Sequence, residues 1–152
     1  MTNSGWLKFT LVPLISLLFS SSVNAQSMIL PMRDRAALVD AWLAERIDQV
    51  LPMLMARTGI DLWLISAREY NEDPVIRPFL PATWLSARRR TILLIYKDPA
   101  GDSIETLAVA RYNVGSAFAR AWDKETQPDQ WQRVVELIEE RDPETIGINV
   151  ST

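Results

Sequence analysis

The chain has 152 residues, 48% hydrophobic and 23% charged, with 19 acidic against 16 basic side chains and a formal net charge of −3. That size supports one core, and an acidic balance excludes the net basic footprint of a nucleic-acid-binding protein. Neither cysteine nor histidine occurs, which excludes disulfides, thiolate metal sites, the commonest general base and any Ser-His-Asp triad.

The first 25 residues belong to a class of their own. Lys8 is the only charge before Arg33, the apolar run "FTLVPLISLLF" (Phe9–Phe19) follows it, and small residues lead to Val23-Asn24-Ala25. This pattern predicts a cleavable export signal, with the mature chain starting at Gln26 and residing in the periplasm or outside the cell. The apolar run is about half the roughly 20 residues a membrane-spanning helix needs, so no membrane attachment is expected after cleavage.

From Asp34 to Arg57, the residues Leu43, Ile47, Val50, Leu51 and Leu54 recur at spacings of three and four, which predicts an amphipathic helix. Asp34 is its expected N-cap and Gly59 its C-terminal stop. Pro52 interrupts the pattern and is expected to kink or split the helix. "IDLWLIS" (Ile60–Ser66) is short and rich in β-formers, a buried strand.

"REYNEDPVIRPFLPATWLSARRR" (Arg68–Arg90) then holds three prolines, an acidic group and an arginine triplet. Long irregular connections in compact domains are uncommon and usually functional or disordered. Glu69, Glu72 and Asp73 are open to two readings, a divalent-metal or acid/base site or a solvated loop start. Arg88, Arg89 and Arg90 either grip a phosphate or carboxylate through guanidinium forks or pair locally with those acids. Trp84 and Trp122 fall outside regular elements and suit a pocket wall or interface, whereas Trp63 and Trp131 read as core and Trp42 needs no special role. If Trp84 lines such a wall, replacing it with alanine leaves the stability of the domain nearly unchanged.

"RTILLIYKD" (Arg90–Asp98) and "IETLAVARY" (Ile104–Tyr112) flank "PAGD" and predict an antiparallel hairpin. "PDQWQRVVELIEERD" (Pro128–Asp142) places Trp131, Val134, Val135 and Ile138 on one helical face, with Pro128 at the first helical position. "TIGINV" (Thr145–Val150) closes the series as a strand. The sum is an α/β layer fold with a mixed sheet flanked by helices. The chain stops two residues after this strand, and the domain is expected to be truncated at its C-terminus.

The segments "MRDRAALVDAWLAERIDQVLPMLMARTGIDLWLISAREYNEDP", "LPATWLSARRRTILLIY" and "QPDQWQRVVELIEERDPETIGINVS" resemble the N-terminal domain of the creatinase/prolidase/Xaa-Pro aminopeptidase family, the "pita-bread" metallopeptidases, in a secreted bacterial subgroup. The resemblance spans residues 28–152 and implies a ribonuclease H-like fold. In the family an opening helix precedes an "ID-W-L" strand. A region facing a neighbouring subunit's active site follows, then a hairpin, a helix and an "-IGIN" strand. It also implies that catalysis resides in a C-terminal domain lying outside this sequence. There two aspartates, a histidine and two glutamates hold two divalent ions (manganese, cobalt or zinc) that activate water against the bond preceding proline. No catalytic or metal-binding residue therefore carries over to this chain, and no cofactor is expected within it. The implied role is assembly into a homo-oligomer and closure of the cleft over a peptide with proline at its second position. Tyr70, Asn71 and Trp84 are the candidate cleft or subunit contacts, with a plain structural loop as the competing reading. A free-standing, non-enzymatic periplasmic interaction module is the alternative function.

Overall fold

A computed structural model describes residues 29–70, 73–99, 101 and 103–150. The expected export signal and the candidate contact Asn71 lie outside them, as does Glu72. The described chain is α/β: a mixed five-stranded sheet with helices on both faces.

The opening helix has three parts, α1 (Met32–Glu45), a π turn (Arg46–Val50) and α2 (Leu51–Thr58). The π turn accommodates Pro52, whose ring would otherwise meet the carbonyl of Asp48 and which has no N–H to give it. In the widened turn the Leu51 N–H reaches back five residues to the Arg46 carbonyl. The same turn straightens the buried seam Leu43, Ile47, Leu51 and Met55. Three four-residue steps overshoot an α-helix by about 120° in all, and one inserted residue takes back about 100°. That shift corrects the predicted stripe: Val50 is exposed and Leu54 half-buried. The helix also starts earlier than Asp34 suggests, with Pro31 at the N-cap and Asp34 in the first turn, where a carboxylate complements the positive helix end. Gly59 ends α2 as expected, at φ 66° in the left-handed region.

The sheet runs β4-β3-β2-β1-β5. β1 (Leu62–Arg68), β2 (Arg90–Lys97) and β3 (Ile104–Val109) form an antiparallel series, so the predicted hairpin is present. β4 (Ala119–Arg120) adds to β3 and β5 (Ile146–Ile148) adds to β1, both in parallel. β2 is central, and Ile92, Leu93, Leu94 and Ile95 are all fully buried because both of its faces are covered. Leu93 and Ile95 face the opening helix, whereas Ile92 and Leu94 face α3 (Gln130–Glu139).

The long connection contributes to the core. Asp73 caps a 3₁₀ helix (Pro74–Phe79), and Ile76, Phe79, Leu80 and Ala87 are buried. Phe79 stands edge-on between Trp63 at 5.6 Å and Phe118 at 6.2 Å, and the Arg46 guanidinium of the π turn donates to the Pro78 carbonyl.

Two tryptophans depart from expectation, Trp122 only in part, since it also lines a depression. Trp122 is only 8% exposed, and its indole N–H donates to the Gln127 carbonyl at 2.8 Å; a buried polar tip has found its acceptor. Trp131 is 44% exposed, because α3 buries Val134 and Leu137 while Trp131 and Val135 face outward. Asp129, not Pro128, sets the start of α3. Its carboxylate accepts from the Trp131 and Gln132 N–H groups, an N-cap one residue beyond the proline.

Candidate functional site

Residues at the two ends of the long connection meet. The Glu69 N–H donates to the Arg89 carbonyl, and Glu69 Oε2 accepts the Arg89 N–H at 2.9 Å. Tyr70 and Arg89 both adopt left-handed backbone, at φ 67° and 53°, which is uncommon for residues with a side chain and costs free energy. Tyr70 turns its ring outward, 93% exposed.

The acids of this region act locally. Glu69 bonds the Arg89 backbone, and Asp73 Oδ1 accepts the Val75 N–H at 2.9 Å. That bond, with the Asn149 amide second, holds the Asp73 carboxyl below its ordinary value of 3.8. Among the described residues no group of three or more potential metal ligands occurs.

The arginine triplet departs from the charge-pairing expectation. Among the described residues, no carboxylate pairs with the guanidinium of Arg88, Arg89 or Arg90. Arg88 instead lies over the Trp84 ring at 4.5 Å and the Tyr112 ring at 5.8 Å, and Arg90 lies over Trp131 at 5.8 Å. Trp84 and Tyr112 meet edge-to-face at 5.7 Å. Trp84 is half-buried and packed against the core beneath it.

Three adjoining depressions surround this group. One, of about 180 Å³, has Arg88, Arg89, Arg90 and Arg111 at its rim with Tyr112, over Ala110, Trp122 and Gln130. A second, of about 440 Å³, lies between Trp84, Leu85 and Tyr112, and a third, of about 380 Å³, beside Tyr70 and Arg68. Tyr70 and Trp84 therefore line separate depressions, joined through Glu69 and Arg89. Among the described residues, Glu69 is the one carboxylate lining any of the three.

Arg111, Tyr112 and Gln130 are not singled out by sequence. For the first two a signal exists: continuing the hairpin register from Ile92 opposite Val109 would set Ala110, Arg111 and Tyr112 opposite Thr91, Arg90 and Arg89, at the arginine triplet. Gln130 has no comparable signal, since it depends on how α3 docks. Its buried amide donates to the Val109 carbonyl at 2.6 Å and the Arg90 carbonyl at 3.2 Å.

Between the opening helix and β3, a cavity of about 390 Å³ is lined by Asp40, Asp48, Thr106 and Ser116 among others. Asp40 Oδ1 accepts the Ala82 N–H at 2.8 Å.

No family model, curated protein or solved structure matches this chain.

Proposed function

We propose that the chain is the non-catalytic N-terminal domain of an exported Xaa-Pro aminopeptidase/prolidase-like metallopeptidase, serving subunit assembly and closure of the substrate cleft. The observation that carries this reading is the pairing of its two most characteristic segments. "IDLWL" and "IGIN" lie side by side as parallel strands, with Leu62 opposite Ile146, Trp63 opposite Gly147 and Leu64 opposite Ile148.

The residues of these segments have physical reasons to be there. A Cβ at Gly147 would stand 3.0 Å from the Ile60 side chain, so glycine spares that side chain a crowded contact. Asn149 continues the pairing with its side chain: Oδ1 accepts the Ser66 N–H at 2.9 Å and Nδ2 donates to the Ser66 carbonyl at 3.1 Å. Apart from the two-residue β4, the order helix, strand, connection, hairpin, helix, strand also follows the family's order. A ribonuclease H-like arrangement is the finer fold assignment within this proposal.

Under this reading the chemistry belongs to a second domain carrying two aspartates, a histidine and two glutamates. Two divalent ions held there would polarise the carbonyl before proline and generate the attacking hydroxide. This domain would offer the Tyr70 and Trp84 region to the cleft rim or to a neighbouring subunit.

A free-standing interaction module is the second reading, favoured by Val39, Trp42 and Met53 of the opening helix, which are exposed. Reading the coding sequence beyond Thr152 separates the two. An open frame encoding the five metal ligands supports the metallopeptidase domain; a stop codon with no such frame supports the module.

A further inference from the structure

We propose that the cavity rimmed by Arg88, Arg89, Arg90 and Arg111 binds a phosphate-type oxyanion carrying two negative charges. The inference does not rest on the metallopeptidase reading, because it uses only the charges and geometry of this face.

Acidic side chains outnumber basic ones in this chain, 19 to 16, yet four guanidinium-bearing residues share a cavity whose described lining contains no carboxylate. Two arginines elsewhere are paired with acids. Arg133 meets Glu136 and Glu140 at 3.0 Å each, and Arg141 meets Glu105 at 2.6 Å. Gathering like charges raises the Coulomb energy, by an amount that salt reduces. An anion in the cavity would reverse the sign of that interaction.

The cationic rim is also built. Arg88 is laid on the Trp84 ring and Arg90 on Trp131. Stacking restrains a guanidinium while leaving its in-plane N–H donors free for an anion. Beneath the rim, the buried Gln130 amide bonds both the Arg90 and Val109 carbonyls, fixing α3 against the ends of β2 and β3. The N-terminus of α3 is not the source of donors, since the Asp129 carboxylate accepts from the Trp131 and Gln132 N–H groups.

Stoichiometry of donors and acceptors selects the ligand class. One carboxylate is satisfied by a single guanidinium fork, whereas several forks suit the greater number of oxygens and the higher charge of phosphate. The volume, about 180 Å³, is below the roughly 300–1,000 Å³ of pockets for drug-sized ligands, so a single phosphate group is the natural occupant. It arrives either as free phosphate or as the head of a phosphate monoester. In the second case the organic part has a place in the adjoining depression beside Trp84 and Leu85.

The test is an NMR titration of the full chain with inorganic phosphate at constant ionic strength, following arginine Nε–H and tryptophan indole signals. Saturable shifts are expected at Arg88, Arg90, Arg111 and the Trp131 indole. Arg111→Gln should weaken binding about tenfold, the scale of one lost hydrogen bond to a charged group. Arg111 is exposed, and its guanidinium makes no bond among the described residues, so this change leaves the fold intact. Arg90→Lys keeps the charge but loses the fork and should fall between wild type and Arg111→Gln. Arg35→Gln, on the opening helix, should bind as wild type does. Phenyl phosphate then separates the sources: tighter binding with added shifts at the Trp84 indole indicates a monoester, and equal binding indicates free phosphate. Non-saturating shifts, acetate competing as well as phosphate, or wild-type affinity in Arg111→Gln would each overturn the proposal.

Discussion

Replacing Trp84 with alanine probes the connection where its packing and its exposed face meet. Treated as a bare pocket wall, Trp84 should contribute within about 0.5 kcal/mol; treated as full core, about 3–5 kcal/mol. The structure places it between. Its edge-to-face contact with Tyr112 at 5.7 Å is of a kind that contributes about 0.5–1.5 kcal/mol. The Arg88 guanidinium 4.5 Å above the ring adds about 0.5–1 kcal/mol at a partly exposed site. With the half-burial of the ring against the core, the expected loss is about 2 kcal/mol. At a urea dependence of about 2 kcal/mol per molar for a domain of this size, the unfolding midpoint falls by about 1 M. A double-mutant cycle with Tyr112→Ala should return a coupling of about 0.5–1.5 kcal/mol. A midpoint shift under about 0.25 M, or zero coupling to Tyr112, would refute the packing described for this residue.

Phe79→Ala should cost about 3–5 kcal/mol in the same melts, because the ring is buried between Trp63 and Phe118; a surface-sized change would mean the connection is not core. The Asp73 carboxyl is held below 3.8 chiefly by the Val75 N–H. Its contribution to stability is therefore complete above pH of about 4 and fades as pH falls through the lower folded value. Asp73→Asn should give a shallower loss of thermal midpoint below that pH, and an unchanged acid-side slope would count against the capping bond. N-terminal sequencing of exported material should read from Gln26; soluble cytoplasmic protein retaining Met1 would rule out the export signal.

The sheet is legible in the sequence because its strands carry strong local signals. β2 is a continuous apolar run flanked by turn residues, and the hairpin follows from its turn. The helices are legible in kind but not in phase. Counting at 3.6 residues per turn cannot anticipate the π turn before Pro52, which moves the buried seam onto Met55 and leaves Val50 outside. On α3 the apolar pattern offers two overlapping faces, and docking selects Val134 and Leu137 over Trp131 and Val135. The connection misleads in proportion to its polarity: its prolines and charges conceal Ile76, Phe79 and Leu80, which only tertiary packing identifies as core. At the candidate site the arginine triplet is visible as a motif. Of its aromatic partners on other elements, Tyr112 can be placed by extending the hairpin register, whereas Trp131 depends on how α3 docks.

The central functional claim is best tested by assaying the complete gene product for hydrolysis of a short peptide with proline in second position, with added manganese and again after chelation. Release of the N-terminal residue that requires metal and is abolished by the chelator is the expected result, with no turnover by the 152-residue chain alone. A metal-supplemented complete product that leaves the peptide intact would contradict the assignment, as would metal-dependent turnover by the 152-residue chain itself.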